Sequence, residues 1–355
     1  MTNAGKTPRA DGAYYPWFDW LRGALAVTVM LTHDGVIAWG RAGNFAVQVF
    51  FALSGWLIGT VLLHTDRAHL PRFYFNRAVR IWTPYYIALA LLLSASLLRD
   101  HAGAKWFEFV FYKLTFVYNL FGTPQLATHV AEMPLAGTGN HFWSVNTEEQ
   151  FYLVAPLLLV LAAPALGRSR VTWLALALLA GVSGFNASIV FGVTAAVLAA
   201  HDDSIFRRPL ARIALAVAGV AATLGLAAGW SYDALAPIVA ISIVLLLSMP
   251  GRRQAIGAVV GGMSYPLYLN HWIGVFVVHA LAKRVGLGGP QATHLFSAVF
   301  NIALATGLYL CIDRPLLERR ARWYTPTLGR RALIAAYAMI AVGFASGFVL
   351  QTAAP

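Results

Sequence analysis

Eleven apolar runs, separated by short loops that hold most of the charge, constrain this chain more than any other feature in it. They lie at about 17–38, 44–64, 82–98, 148–166, 171–184, 185–200, 211–229, 234–249, 256–282, 291–312 and 332–350. A helix needs about 20 consecutive, predominantly apolar residues to cross a bilayer. Several runs are shorter than that, and the fifth and sixth read as pieces of broken helix. Charged residues are 11% of the chain, against about 25% in a soluble domain. The fold class that follows is all-α: a polytopic transmembrane helix bundle, with no room for a sizeable soluble domain. No internal repeat is visible, which weighs against carriers built from two similar halves.

The net charge of +12 invites a nucleic-acid reading. The placement of the charge argues otherwise, because the basic residues sit in short loops between apolar runs. If the N-terminus is cytoplasmic, nineteen of the 26 Lys and Arg residues fall on its side, six fall on the other, and Arg22 lies inside the first run. That bias predicts an N-terminus inside and a C-terminus outside. The single cysteine, Cys311, allows neither an internal disulfide nor a Cys-rich metal site. The first run is long, contains Arg22 and lacks a small-residue cleavage site, so it does not read as a cleavable signal. Residues 1–13 read as a polar cytoplasmic tail. In the longest outer connection, 99–147, residues 106–121 are aromatic and amphipathic and are expected at the interface or re-entering it. Residues 122–140 are expected to be an exposed loop covering a site that opens outward.

Polar groups inside apolar runs carry the functional signal, because an ionisable group at membrane depth is costly. The first run holds Asp19, Arg22, His33 and Asp34. Arg22 and His33 are eleven residues apart, about three turns, so both face one way with about 16 Å of rise between them. Asp19 is one turn from Arg22 and is placed to pair with it. His33 is a natural general base near neutral pH. Asp34, about 100° round the helix, is no obvious partner for it. The second run opens Phe50-Phe51-Ala52-Leu53-Ser54-Gly55, with small residues suited to close helix contact. Arg77 and Arg80, one turn apart, would present two guanidinium forks to a phosphate. The fourth run begins near Trp143-Ser144-Val145-Asn146-Thr147-Glu148-Glu149-Gln150. Counted from the outer face, its two carboxylates match the depth of His33, where a carboxylate would orient the imidazole. The ninth run carries Ser264, Tyr265, Tyr268 and His271, of which Ser264, Tyr268 and His271 follow helical spacing as a polar stripe.

Taken in order, these stretches resemble the acyltransferase 3 family of integral-membrane acyltransferases, which O-acylate cell-surface glycans and some small molecules. Arg22 and His33, with Asp19 and Gly23, match its Arg-x10-His first helix. Residues 50–55 match its Phe-Phe-x-Leu-Ser-Gly, and Arg77 and Arg80 its Arg-x-x-Arg. Trp143 to Tyr152 match its Trp-Ser-x-x-x-Glu-Glu-Gln-Phe-Tyr, and 264–271 its Ser-Tyr-x-x-Tyr stretch ending in His. The likeness covers about 14–325. Asp313-Arg314-Pro315 stands where the family tends to have Glu-x-Pro, and His271-Trp272 lacks the usual following Pro.

The resemblance implies a ten-helix acyltransferase core over 14–325, with 326–355 an additional C-terminal helix that no outer esterase-like domain follows. It implies a bacterial cytoplasmic-membrane enzyme with no permanently bound cofactor or metal. Acyl-CoA, acetyl-CoA above all, is the donor, and an envelope or exported saccharide hydroxyl is the acceptor. His33 is then the base or the acyl carrier, supported by Glu149 or Glu148. Arg77 and Arg80 hold the CoA phosphates, with Arg22, Asp19, Ser144, Asn146, Tyr265, Tyr268 and His271 as further binding residues. A small-molecule acceptor such as a macrolide stays open. So does a proton-coupled transporter, since buried Arg, His and acidic groups also suit a relay.

Overall fold

A computed structural model describes residues 14–286 and 289–352, so the tail expected at 1–13 lies outside the described residues. No strand occurs among them, and every apolar run of the sequence contains a helix. The first two are α1 (Pro16–His33) and α2 (Ala42–Leu63). Helix α3 (Leu70–Arg77) continues through a π turn (Ala78–Trp82) into α4 (Thr83–Leu97). The long connection after α4 contains α5 (Ala104–Leu114), α6 (Tyr118–Phe121) and α7 (Leu126–His129). Helix α8 (Trp143–Pro156) runs into a second π turn (Leu157–Leu161), and α9 (Pro164–Gly167) follows. Next come α10 (Arg170–Ser183), α11 (Ala187–His201), α12 (Pro209–Ala227) and α13 (Tyr232–Leu247). The chain ends with α14 (Ala255–Val285), α15 (Pro290–Leu308), a third π turn (Tyr309–Asp313), α16 (Arg314–Trp323) and α17 (Pro326–Thr352).

Among the described residues, five continuous helical stretches are long and apolar enough to cross a membrane, the longest being Pro290–Trp323. Large apolar side chains such as Leu178, Val182, Leu210 and Leu224 point outward, at exposures of 65% or more. Apolar faces of that kind are stable against lipid rather than water. The chain is therefore a multi-pass helical membrane protein.

Two compact units are distinguished, and their boundaries cut α1 after Ala26 and α14 after Ser264. The first holds α2, α10 to α13 and the opening parts of α1 and α14. Its closest backbone-to-backbone approach is between α2 and α11. A Cβ on Gly55 would lie 2.2 Å from the Ile189 carbonyl oxygen, and one on Gly192 would lie 2.3 Å from that of Ala52. The small residues at the start of the second run therefore serve backbone-to-backbone packing. In this unit Arg22 pairs with Asp19 at 3.2 Å, and Tyr14 donates to the other oxygen of Asp19.

The second unit holds the end of α1, helices α3 to α8, and everything from Tyr265 onward. The C-terminal helix is part of its packing. The Tyr337 hydroxyl on α17 donates to the Leu153 carbonyl of α8 at 3.0 Å and meets Tyr74 of α3 at 3.0 Å. Residues 122–140 are exposed in part, chiefly at Ala127, Thr128 and Val130 to Glu132, but they are not an open loop. They form short helical turns whose Met133 and Leu135 are buried, and the Leu135 amide is held by Asp100 at 2.6 Å.

Two helix ends differ from the limits of the apolar runs. Helix α1 stops at His33, five residues before its run does. Gly35 has φ 78°, its N–H reaches the Thr32 carbonyl at 3.2 Å, and the Val36 N–H reaches Leu31 at 2.9 Å. These two bonds with a left-handed glycine form a Schellman cap. Helix α8, conversely, starts at Trp143, five residues before its apolar run. In the first and third π turns, the last residue lies two before a proline, Pro84 and Pro315. Proline has no N–H, so the carbonyl four residues earlier loses its α-helical partner, and the turn widens there.

Adding a methyl at the closest backbone approach should separate α2 from α11. Gly55→Ala or Gly192→Ala is expected to cost about 1–3 kcal/mol, read as a lower midpoint of thermal unfolding in detergent. Gly35→Ala meets nothing within 4 Å, so only the backbone penalty of about 1–2 kcal/mol should appear.

Candidate active site: a chain of imidazoles at the end of α1

The Schellman cap leaves His33, an exposed residue, as the final helical residue of α1. Its Nδ1 lies 2.8 Å from Nε2 of His271 on α14, and the two rings stack at a centroid distance of 4.9 Å and 17°. His271 is only 2% exposed, and its own Nδ1 lies 2.8 Å from the Tyr268 carbonyl. That carbonyl fixes the protons along the chain. A carbonyl only accepts, so His271 Nδ1 carries hydrogen and, with this buried ring neutral, its Nε2 a lone pair. His33 Nδ1 must then donate, and in the neutral His33 ring the lone pair is left on Nε2. A neutral imidazole with its basic nitrogen on an accessible ring is the arrangement of a general base.

A third ring, His141, stands 4.6 Å from His271 and 5.9 Å from His33. It belongs to the connection before α8 and is 5% exposed. Burial, with His271 and His33 alongside, pushes its imidazole well below the ordinary value. The cluster is therefore free of an imidazolium at that position. The Tyr268 hydroxyl donates to the His141 carbonyl at 2.6 Å and also meets Ser144 Oγ at 2.6 Å. Tyr268, Ser144, His141, His271 and His33 thus form one assembly.

Glu149 is elsewhere on α8. Because that helix begins at Trp143, Glu149 is nearly two turns in and does not lie level with its mouth. Its Oε2 accepts from Trp82 Nε1 at 2.7 Å, and the charges of Arg77 and Glu148 act on it. The orienting contact expected of Glu149 is supplied to His33 by His271. Glu148 accepts from the Tyr152 hydroxyl at 3.1 Å. Asn146 is fully buried, and protein groups take up its amide: its oxygen accepts the Tyr118 N–H at 2.9 Å, and its nitrogen donates to Phe142 O at 3.0 Å and Tyr85 Oη at 3.3 Å. Gln150 likewise holds the Phe116 carbonyl, whose residue has φ 56°. Lys113 closes this layer by donating to the Gly139 carbonyl at 2.8 Å over the face of Tyr118. Burial pushes its ammonium well below its ordinary value. The ring face favours the charged form, so the two influences oppose each other.

Arg77 and Arg80 flank part of the first π turn and do not share a setting. Arg77 is half-buried over the Tyr152 ring at 5.1 Å. Arg80 is exposed, and its charge acts on Asp313 and Arg320. Arg72 acts on Arg320 as well and lies over the Tyr324 ring at 5.3 Å. The charges of Arg72 and Arg80 thus both reach Arg320, and of these three guanidiniums the sequence singled out only Arg80. In the sequence Arg72 and Arg320 look like ordinary loop charge. Tyr265 donates to the Ile81 carbonyl inside the same π turn at 3.2 Å, and Ser264 to the Gly261 carbonyl of its own helix at 2.7 Å. Arg22 and Asp19 belong to the first unit, eleven and fourteen residues before His33 along α1.

A family model described as an acyltransferase domain matches residues 15–312. Among curated relatives, the peptidoglycan O-acetyltransferase OatA of Listeria monocytogenes is 30% identical over 173 residues, which are 44% of this chain and 26% of that protein. The exopolysaccharide production protein ExoZ of Rhizobium meliloti is 27% identical over 82% of this chain and 95% of its own length. BcsY of Komagataeibacter xylinus, named as a putative membrane-bound transacylase, is 25% identical over 90% of this chain and 87% of its own. The chain spans about a quarter of the length of OatA and of a second, putative peptidoglycan O-acetyltransferase from Bacillus subtilis. No solved structure matches.

Asn146→Ala would strand the Tyr118 N–H in a buried layer and is expected to cost about 1–3 kcal/mol. Ser144→Ala leaves the Tyr268 hydroxyl its bond to the His141 carbonyl and should cost less. Thermal unfolding of both purified variants checks this order.

Proposed function

The chain belongs to this acyltransferase family, and from that footing we propose that it O-acylates a saccharide hydroxyl of the cell envelope or an exported glycan, using cytoplasmic acyl-CoA. The observation that carries the reading is the proton order His33→His271→Tyr268 carbonyl, which leaves a lone pair on Nε2 of an accessible ring. His33 Nε2 takes the proton of the acceptor hydroxyl. The hydroxyl oxygen forms its bond to the thioester carbonyl carbon, the carbon–sulfur bond breaks, and the departing thiolate recovers the proton from the imidazolium. While His33 is charged, His271 Nε2 accepts from its Nδ1 and stabilises it. His271 is thus a positioning residue that acts through His33.

Three guanidiniums suit the donor. Arg80, Arg72 and Arg320 would bind the CoA phosphates, with Arg77 further along the wall beside Tyr152 and Glu149. Their place in the basic loops agrees with a cytoplasmic donor and with eleven spans running from an inner N-terminus to an outer C-terminus in a bacterial cytoplasmic membrane. The relatives named for peptidoglycan and exopolysaccharide support a saccharide acceptor, and those named O-acetyltransferases support acetyl as the group moved.

Acetyl transfer by purified protein, followed with labelled acetyl-CoA and an envelope glycan, tests the assignment. His33→Ala is expected to lose about 10²–10⁴-fold in rate, and wild-type rates from that variant would end the proposal. Arg80→Glu and Arg320→Glu are expected to raise KM for acetyl-CoA about tenfold or more with little change in kcat, because they remove binding rather than transition-state contacts.

A further inference from the structure

We propose that Asp34, His279 and His294 form a binding site for a divalent cation of the zinc class, at the outer end of α1 and apart from the histidine chain of the active site. The proposal is independent of the acyl-transfer reading, because it rests only on these three side chains.

Asp34 follows His33 directly and is the C-cap residue of α1, with its side chain 2% exposed. A carboxylate there is disfavoured twice. It loses its hydration, and the negative end of the helix dipole points at it. Such a group needs positive charge brought to it. Two imidazoles are aimed at it: Nε2 of His279 on α14 lies 2.8 Å from Oδ1, and Nδ1 of His294 on α15 lies 3.2 Å from Oδ2. If both rings are neutral, the buried negative charge stays uncompensated.

The second contact is not a hydrogen bond. His294 Nδ1 is buried and, despite its distance from Asp34, has no hydrogen-bond partner among the described residues. A ring nitrogen at that distance but out of line with the oxygen is unexplained by a simple Asp–His pair. It is explained if nitrogen and oxygen both address a third point. One ligand atom from each of the three residues lies within 4.8 Å of the others. Ligands held about 2.0–2.2 Å from zinc sit about 3.3 Å from each other in a tetrahedron. The observed 2.8 and 3.2 Å spacings, one to each oxygen of Asp34, are close to that, and the two ring nitrogens, within 4.8 Å of each other, would draw together around the ion.

Two imidazoles and one carboxylate make up a donor set for zinc and other first-row divalent metals, with at least one position left for water. The rings are 38% and 28% exposed, so a cation can enter from solvent. Once bound it would tie the end of α1 to α14 and α15, fixing the backbone that carries His33.

The test uses the full chain in detergent, with its affinity tag removed and chelator-treated, and Zn²⁺ or Co²⁺ as the probe. After loading and desalting, about one zinc per chain should be retained, the thermal midpoint should rise by several degrees, and Co²⁺ should give visible absorption of a nitrogen–oxygen site. Asp34→Asn and His294→Ala should each lose retention at least tenfold while keeping the unfolding midpoint of the metal-free wild type. If either variant fails to fold, the Co²⁺ spectrum and zinc stoichiometry of the wild type decide alone. No retained metal and no cobalt spectrum in the wild type would overturn the proposal, leaving an ordinary Asp–His ion pair. Retention unchanged in both folded variants would overturn it too.

Discussion

The hydrogen bond between His271 and the Tyr268 carbonyl holds a proton in place, and the rest of the site depends on where that proton is. Because the acceptor is a backbone carbonyl inside α14, it cannot give the proton back or turn away. The order of hydrogens then propagates through His271 to His33 without any charged partner. Serine-hydrolase triads use a buried carboxylate for the same purpose, at the cost of burying a negative charge. Here two neutral rings and a peptide group do it in a setting where charge is expensive. That arrangement fits a site in which only the outermost histidine is exposed and the two behind it are almost fully buried.

Much of the architecture was legible in the sequence, because the apolar runs follow from the solvent they face. Each run proved to contain a helix, and the Asp19–Arg22 pair and the close contact at Gly55 were readable from spacing and residue size. The helix ends were not, because they are decided by caps rather than by hydropathy. Gly35 stops α1 early, and α8 starts early at Trp143. Those few residues changed the site. They moved Glu149 deeper by more than a turn and brought His141 and Ser144 to the mouth in its place. Other residues left no signal to read. His33 and His271 are 238 positions apart, and a long-range pair has no periodicity. Arg320 looks like a topology charge until the third π turn and α16 bring it within reach of the charges of Arg80 and Arg72.

The π turns deserve a physical reading of their own. Each spans five residues, and two of the three precede a proline by two positions. A helix that meets a missing N–H must leave a carbonyl unpaired, bend, or widen. This chain widens, and Tyr265 supplies a donor to the Ile81 carbonyl from the side. The widened turns also carry Arg80, Trp82 and Asp313, whose side chains are thrown out of the register of the helices around them. That is why Arg77 and Arg80, three residues apart, look to different neighbours.

The early cap on α1 has a consequence for scale. A reactive ring buried midway along a helix can serve only molecules slim enough to be threaded inward. On the reading proposed above, a ring on the last turn, where the peptide chain already swings away, would meet its alcohol at a surface. A long polymer could then present one hydroxyl after another without ever leaving the aqueous side, and its bulk would set no limit on whether it reacts.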